Sequence, residues 1–333
     1  MTLPSTMLAV VVQDDENRTL TWESVPCSQP GPGDVLVRIH ASALNRADLL
    51  QRRGLYPPPP GASEVMGLEM AGEIVAVGDH VSDWNIGDRV CCLLEGGGYA
   101  QYAVCDQRML LPVPQGLSWV EAAALPEVFY TAYLNLFLEA NAKPGETVLI
   151  HAGASGVGTA AIQLCKVKGN PVFATASGNK LEALRVLGAD GVFDRHQGSF
   201  LDWIKEETGG KGVDVVLDPV GASYLEDNLK ALKRDGRLVL IGLLSGRKAE
   251  ISLGTLLLKR IRLIGSTLRS RSREAKVTIT DAIQEDIWSL FDSHDLKPIV
   301  HQTFPITEVA EAHALMESNT SVGKIMLEVP HNN

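Results

Sequence analysis

The sequence predicts an α/β protein that joins a doubly wound parallel sheet to a second, β-rich and partly closed barrel. Three observations lead there. A chain of 333 residues exceeds one ordinary core, so its length favours two domains. Its first third reads as short β-rich runs divided by Gly/Pro turns. Beyond about Glu121 strands alternate with helices at the spacing of βαβ units.

Element by element, a strand over Met7–Val12 comes first. The turn Pro30-Gly31-Pro32-Gly33-Asp34 introduces a strand over Val35–His40. Gly72–Val77 is closed by Gly78-Asp79, Asp88–Leu93 follows Ile86-Gly87, and Tyr99–Val104 follows the glycines 96–98. Tyr56 precedes four prolines, 57–60, a rigid loop that cannot continue a helix. A helical stretch, Val120–Leu138, then leads through Lys143-Pro144-Gly145 into a strand over Thr147–Ala152. Alternation continues with strand Pro171–Thr175, helix Asn179–Leu187, strand Gly191–Phe193, helix Phe200–Thr208 and strand Val213–Asp218. Helix Ser223–Lys233 and strands Gly236–Ile241 and Ile261–Ser266 follow, and helix Arg273–Phe291 and strand Lys324–Val329 close the pattern.

Composition narrows the function. Hydrophobic residues are 45% and charged ones 21%, enough apolar side chain for a sizeable core without metals or disulfides. The net charge of −10, with no long basic block, argues against nucleic acid. Five cysteines at irregular intervals, with no C-x-x-C or H-E-x-x-H spacing, fit reduced thiols in a cytoplasmic protein better than a disulfide framework or a metal site. Met7–Val12 lacks a basic flank and reads as a strand, not a signal peptide. No run of about 18 apolar residues occurs, so no membrane span is expected.

The segment from Thr147 to Gly158 runs strand, glycine-rich turn, helix. Gly153 suits a tight turn, Ser155, Gly156 and Val157 form the approach to a diphosphate, and Gly158 permits close packing of the helix. A diphosphate would rest on the unpaired amides at the helix N-terminus. Ser155 stands where a second glycine is usual. A bare connecting turn would also be glycine-rich, but the flanking alternation favours nucleotide binding. At the end of the second strand, Ser177-Gly178-Asn179-Lys180 contains no acid to accept the ribose hydroxyls. Ser177, Lys180 and, from the next strand end, Arg195 would instead meet a 2′-phosphate, which selects NADPH. Lys180 as a solvated lysine is the alternative.

Ala43-Leu-Asn45-Arg46-Ala-Asp48, Gly67-Leu68-Glu69-x-Ala-Gly72, Gly87-Asp88-Arg89-Val90, Gly97-Gly98-Tyr99-Ala100-x-Tyr102 and His151–Gly158 together resemble the medium-chain dehydrogenase/reductase family over nearly the whole chain. The resemblance implies a Rossmann nucleotide domain over residues 129–271 and a GroES-like barrel over residues 1–128 and 272–333. It also sets Asn45, Leu68 and Glu127 at the positions where zinc alcohol dehydrogenases of the family hold their catalytic metal. A leucine cannot ligate zinc and the soft ligands are gone, so the zinc-free branch is implied. Ala41–Leu49, Tyr56–Ser63 and Ser266–Arg271 are similar to the zeta-crystallin-like quinone oxidoreductases of that branch. That likeness implies NADPH, a homodimer, and a quinone or other conjugated carbonyl as electron acceptor.

Asn45 and Tyr56 become candidates for contact with the nicotinamide and a quinone oxygen. Asn45 could instead only end its turn, and Tyr56 only pack on the prolines. Thr131 is a candidate for the nicotinamide face, with plain helix packing as its alternative. Gly242, Leu243, Leu268 and Ser270 lie at expected carboxyl ends of strands, where open α/β sheets bind ligands. Pro219-Val220-Gly221 reads as a strand-to-helix turn, and His151 as a neutral core histidine. Arg269, Arg271 and Arg273 read as a solvated face. Reduction of 2-alkenals, enones or enoyl thioesters, and non-catalytic NADPH binding, are the rival functions.

Overall fold

The computed structural model describes residues 3–331 and divides the chain into two compact units. One takes in the chain up to Val128 and again from Arg269; the other is Phe129–Leu268.

The first unit is β-rich, as expected. Its seven-stranded sheet centres on Asp34–Ala43, whose two ends serve different neighbours. Asp34–Arg38 pairs with Tyr102–Asp106, while Ala41–Ala43 pairs with Met326–Glu328. Register shifts against Glu69–Val77 at Leu36/Val37 and Ile39/Ala41 are the bulges that let one strand turn between the two. Gly72 is required there, because a Cβ would meet the Arg38 carbonyl oxygen at 2.1 Å. Three strands escaped the sequence pattern. Leu20–Pro26 pairs with Thr6–Val12, Leu110–Pro112 with Arg89–Leu93, and Val300–Pro305 with Lys324–Glu328. Leu20–Pro26 and Val300–Pro305 contain no buried residue, so no apolar alternation marks them. Helix Val309–Glu317, also unforeseen, follows.

The second unit carries six parallel strands: β1 (Val148–Ile150), β2 (Val172–Ala176), β3 (Gly191–Asp194), β4 (Val213–Asp218), β5 (Leu232–Leu240) and β6 (Arg262–Gly265). Their spatial order is β3-β2-β1-β4-β5-β6. The order reverses between β1 and β4, which opens a crevice at their carboxyl ends, the usual ligand position in a doubly wound sheet. β1 and β2 are buried throughout, as strands covered on both faces must be. Helix α1 (Gly156–Val167) follows β1 and buries an unbroken run from Gly158 to Cys165.

Several expected elements are divided. The stretch Val120–Leu138 is helix Trp119–Ala123, helix Pro126–Tyr133 and a π-helical segment, Leu134–Glu139. Pro126 explains the first break: it lacks an N–H and disfavours helical geometry in Leu125. Arg273–Asp286 ends before Ile287, whose φ of −133° leaves the helical range, and Ser289–Asp292 is a separate turn of helix. β5 begins at Leu232, not Gly236, and the expected strand Tyr99–Val104 is displaced to Tyr102–Asp106. Among the described residues no helix is long and apolar enough to cross a membrane.

Candidate active site

The turn after β1 is built somewhat differently from the expectation. The left-handed residue is Ala152, at φ 52°, not Gly153. Gly153 serves close approach, since a Cβ there would lie 2.9 Å from both Ala174 Cβ and Leu184 Cδ2. Ser155 is the N-cap of α1, and its Oγ accepts the Gly158 N–H at 3.0 Å. The departure from the double-glycine pattern thus exchanges backbone freedom for a cap. At Gly158 a Cβ would lie 2.5 Å from the carbonyl oxygens of both Ala152 and Gly153, so only glycine lets α1 begin here. This cradle, with amides at the start of a twelve-residue helix, fits a dinucleotide diphosphate.

Past β2, Arg195 Nε donates to Ser177 Oγ at 3.2 Å, so the structure unites two of the three residues expected to read the 2′ position. Lys180 closes the short helical turn Gly178–Lys180 beside them. The sequence reading missed Asp194. A Cβ on Gly178 would lie 2.4 Å from its Oδ2, and its Oδ1 accepts the His196 N–H at 3.0 Å. An acid is absent from the end of β2, yet β3 delivers one next to it.

In the first unit Asn45 begins helix Arg46–Arg52, and its backbone N–H donates to Asp48 Oδ2 at 2.7 Å. Its side chain belongs to a buried charged cluster. Asn45 Nδ2 donates to Glu69 Oε1 at 2.8 Å, and Lys324 Nζ donates to Asn45 Oδ1 at 2.7 Å. Lys324 also pairs with Glu69 Oε1 at 2.7 Å and donates to the Leu44 carbonyl at 2.7 Å. Glu69 Oε2 accepts the Glu127 N–H at 2.8 Å. Neither charge of the pair is left without partners, the condition under which buried ions are tolerated. Asp48 Oδ2 further accepts the Tyr99 hydroxyl at 3.0 Å, while burial pushes the Asp48 carboxyl up to about 6. Nothing local in the sequence pointed to Lys324, and Glu69 stood only inside the motif Gly67-Leu68-Glu69, with no role of its own.

Tyr56 is half-buried, and burial raises its phenol. Arg269 is a correction. The sequence suggests a solvated side chain, yet Arg269 is buried, with its guanidinium 5.3 Å from the Tyr56 ring centroid. Arg269 Nε donates to the Glu95 carbonyl at 2.8 Å and Nη2 to Gln51 Oε1 at 2.9 Å. These bonds return the chain to the first unit at Arg269, ahead of the boundary expected after residue 271. Arg273 does remain exposed.

Of the remaining candidates, Thr131 lies in helix Pro126–Tyr133, where its carbonyl accepts Asn135 Nδ2 at 2.7 Å. Gly242 and Leu243 follow β5 and crowd the turn after β4: a Cβ on Gly242 would meet the Pro219 carbonyl oxygen at 2.7 Å. In that turn the buried Asp218 accepts the Val220 N–H at 2.6 Å and Asn228 Nδ2 at 3.0 Å. Leu268 is buried and Ser270 exposed, past the end of β6. His151 is a core histidine as read: it contacts Thr175 Oγ1 at 3.0 Å and Asn228 Oδ1 at 2.7 Å, and burial lowers its pKa to about 4.

The zinc-ligand positions do not fit a metal. Leu68 is buried hydrocarbon, Asn45 is bonded on both sides by a lysine and a glutamate, and the Lys324 ammonium supplies the positive charge Glu69 requires. Among the described residues no group of three or more His, Cys, Asp or Glu is placed to hold a metal ion.

Known proteins agree with this architecture. A family profile described as "Zinc-binding dehydrogenase" matches residues 156–284, and one described as "Alcohol dehydrogenase GroES-like domain" matches residues 31–115. The chain is 32% identical over 301 residues to a quinone oxidoreductase of Rattus norvegicus, covering 90% of each. It belongs to the medium-chain dehydrogenase/reductase family. Within the family it is also 34% identical over 313 residues to the human synaptic vesicle membrane protein VAT-1 homolog, covering 90% of this chain and 79% of that one. Among solved structures it is similar to the CurK enoyl reductase, with a TM-score of 0.87, 30% identity and coverage of 98% and 100%. The protein is an oxidoreductase of this family. The name of the first profile does not restore a metal: it covers mainly the nucleotide half, and neither Asn45, Leu68 nor Glu127 lies within it.

Proposed function

We propose that the protein is an NADPH-dependent reductase of quinones and related conjugated carbonyls that works without a metal. The observation carrying this reading is the end of β2, where Ser177 and Arg195 are bonded to each other beside Lys180 and β2 itself supplies no acid. NADPH supplies the hydride when bound. Gly153, Ser155, Gly156, Val157 and Gly158 form the cradle proposed for its diphosphate, and Ser177, Lys180 and Arg195 the contacts proposed for its 2′-phosphate. Thr131, Gly242, Leu243, Leu268 and Ser270 are proposed contacts for the rest of the dinucleotide. Asn45 and Tyr56 are assigned to the substrate: Asn45 donates a hydrogen bond to a carbonyl oxygen as negative charge develops there, and Tyr56 forms a wall stiffened by Arg269. A conjugated carbonyl accepts hydride readily, so orientation and one or two donors suffice.

A homodimer and a cytoplasmic location belong to the same proposal. Five free, buried cysteines support a reducing compartment. Edge strand β6 and the exposed Leu253, Leu257 and Leu258 of helix Leu253–Lys259 support self-association.

Two measurements test the reading. NADPH should bind more tightly than NADH by about 1–3 kcal/mol, and Lys180→Ala and Arg195→Ala should erode that margin while sparing NADH. Equal affinity, or preference for NADH, would transfer the ribose contact to Asp194 and defeat the coenzyme assignment. NADPH oxidation by pure protein should then be followed with ortho- and para-quinones, 2-alkenals and alcohols. The likeness to an enoyl reductase makes the alkenal arm the informative rival. Turnover of alkenals without quinones would establish that rival, and inertness toward every acceptor would leave a nucleotide-binding protein.

A further inference from the structure

We infer that the Lys324–Glu69 pair is a positioning device that locks the Asn45 carboxamide in one orientation, so that Asn45 offers its ligand a single N–H donor and no acceptor. The ligand group it can meet is therefore an acceptor oxygen, such as that of a carbonyl, and not a donated hydroxyl proton. The inference deepens the assignment of Asn45 to the substrate and rests on it.

A carboxamide has two orientations that differ only by exchange of O and NH₂. At Asn45 the neighbours decide between them. On one side stands an ammonium, which has donors and no acceptor; on the other stands a carboxylate, which has acceptors and no donor. In the observed orientation Oδ1 accepts from Lys324 Nζ at 2.7 Å and Nδ2 donates to Glu69 Oε1 at 2.8 Å. Exchange would set NH₂ against the ammonium and the carbonyl oxygen against the carboxylate. Two charge-assisted bonds would become two contacts of like polarity, away from water, where neither is screened.

The pair itself cannot readily turn away. The three donors of Lys324 serve Asn45 Oδ1, Glu69 Oε1 and the Leu44 carbonyl, and Glu69 Oε2 is occupied by the Glu127 N–H. Lys324 and Glu69 are essentially inaccessible, at 4% and 0% side-chain exposure. Asn45 Oδ1 is thus committed, as is one Nδ2 hydrogen. The second Nδ2 hydrogen has no partner among the described residues.

The test uses the full-length, NADPH-loaded protein with selectively ¹⁵N-labelled asparagine, Asn45 being assigned by its loss in Asn45→Ser. The Asn45 side chain should show one slowly exchanging proton, bonded to Glu69, and one fast. Cyclohexanone, a carbonyl acceptor without a conjugated bond, should shift the fast proton, and methylcyclohexane, of similar size but with no acceptor oxygen, should leave it in place. In Lys324→Met/Glu69→Gln, which removes both charges together and so leaves no lone buried ion, the slow proton should lose its protection. Quinone kcat/KM should fall about tenfold, the scale of one hydrogen bond, while NADPH affinity stays within about twofold. Glu69→Ala alone is the second variant and should lose the same protection if it folds, because the acceptor of the slow proton is gone. Unchanged exchange and kinetics in the double variant would overturn the positioning role, and equal shifts with the ketone and the hydrocarbon would overturn the donor assignment. Absence of turnover with every conjugated carbonyl would instead defeat the proposed function, while the exchange data still report on Asn45.

Discussion

Asp48 lies wholly buried in the helix that Asn45 begins, with both of its hydrogen bonds on Oδ2 and none on Oδ1. Burial raises its carboxyl to about 6, against the opposing pull of its bonds to Asn45 and Tyr99. A carboxyl whose folded value lies above its unfolded one takes up protons on folding. Its contribution to stability is therefore fully present below about pH 4 and is lost as pH rises through about 6. Asp48→Asn can keep both accepted bonds on its amide oxygen and removes the titration. Denaturant unfolding should show it more stable than the parent by on the order of 1–2 kcal/mol at pH 7.5, with the gain shrinking toward pH 4.5. A gain independent of pH would mean that the carboxyl is not held near 6. Asp218 is shifted in the same direction by the same cause, but it is common to both proteins and cancels in the difference. The motif containing Asp48 was legible in the sequence, whereas its burial and its Tyr99 partner, 51 residues away, were not.

At the scale of elements, the turn between β1 and α1 divides into a cap and a close contact, and the two respond differently to substitution. Ser155→Ala removes the Oγ that accepts the Gly158 N–H and should cost about 1 kcal/mol in thermal or denaturant unfolding, with nucleotide binding largely kept. Gly158→Ala drives a methyl against two carbonyl oxygens at 2.5 Å, so the start of α1 must shift and NADPH affinity should fall at least about tenfold, read by fluorescence titration. Tight NADPH binding by Gly158→Ala would remove the diphosphate from this turn. Strong, regular periodicity made β1, α1, β2 and β4 readable from the sequence. The divided helices were less so: Pro126 signals a break, but the departure at Ile287 has no local residue signature. Val300–Pro305 was invisible because a strand without buried residues has no apolar face to print in the sequence.

For the whole molecule, the proposed dimer is the property most exposed to test. β6 ends the parallel sheet and pairs with β5 on one side, while Leu257 and Leu258, 76% and 74% exposed, stand on the preceding helix. An unpaired edge beside large exposed leucines invites a second copy. Light scattering coupled to size exclusion should report a dimer that Leu257→Asp/Leu258→Asp converts to monomer with its melting temperature lowered by only a few degrees, the scale of a change of about 1 kcal/mol. A monomeric parent protein would end the proposal.

By itself the sequence determined the α/β class, the strand–helix alternation and the glycine-rich turn after β1, because each is written in local residue order, in period and in glycine spacing. Only tertiary structure decided the company those residues keep. Sheet pairing brings Lys324 to Asn45 across 279 residues, and the guanidinium of Arg269 reaches Gln51 across 218. β3 sets Asp194 against Gly178 although no acid follows β2. A residue's type limits what it can do, but its partners, its burial and the direction its hydrogen bonds point are set by packing between segments distant in the chain, which no local pattern encodes.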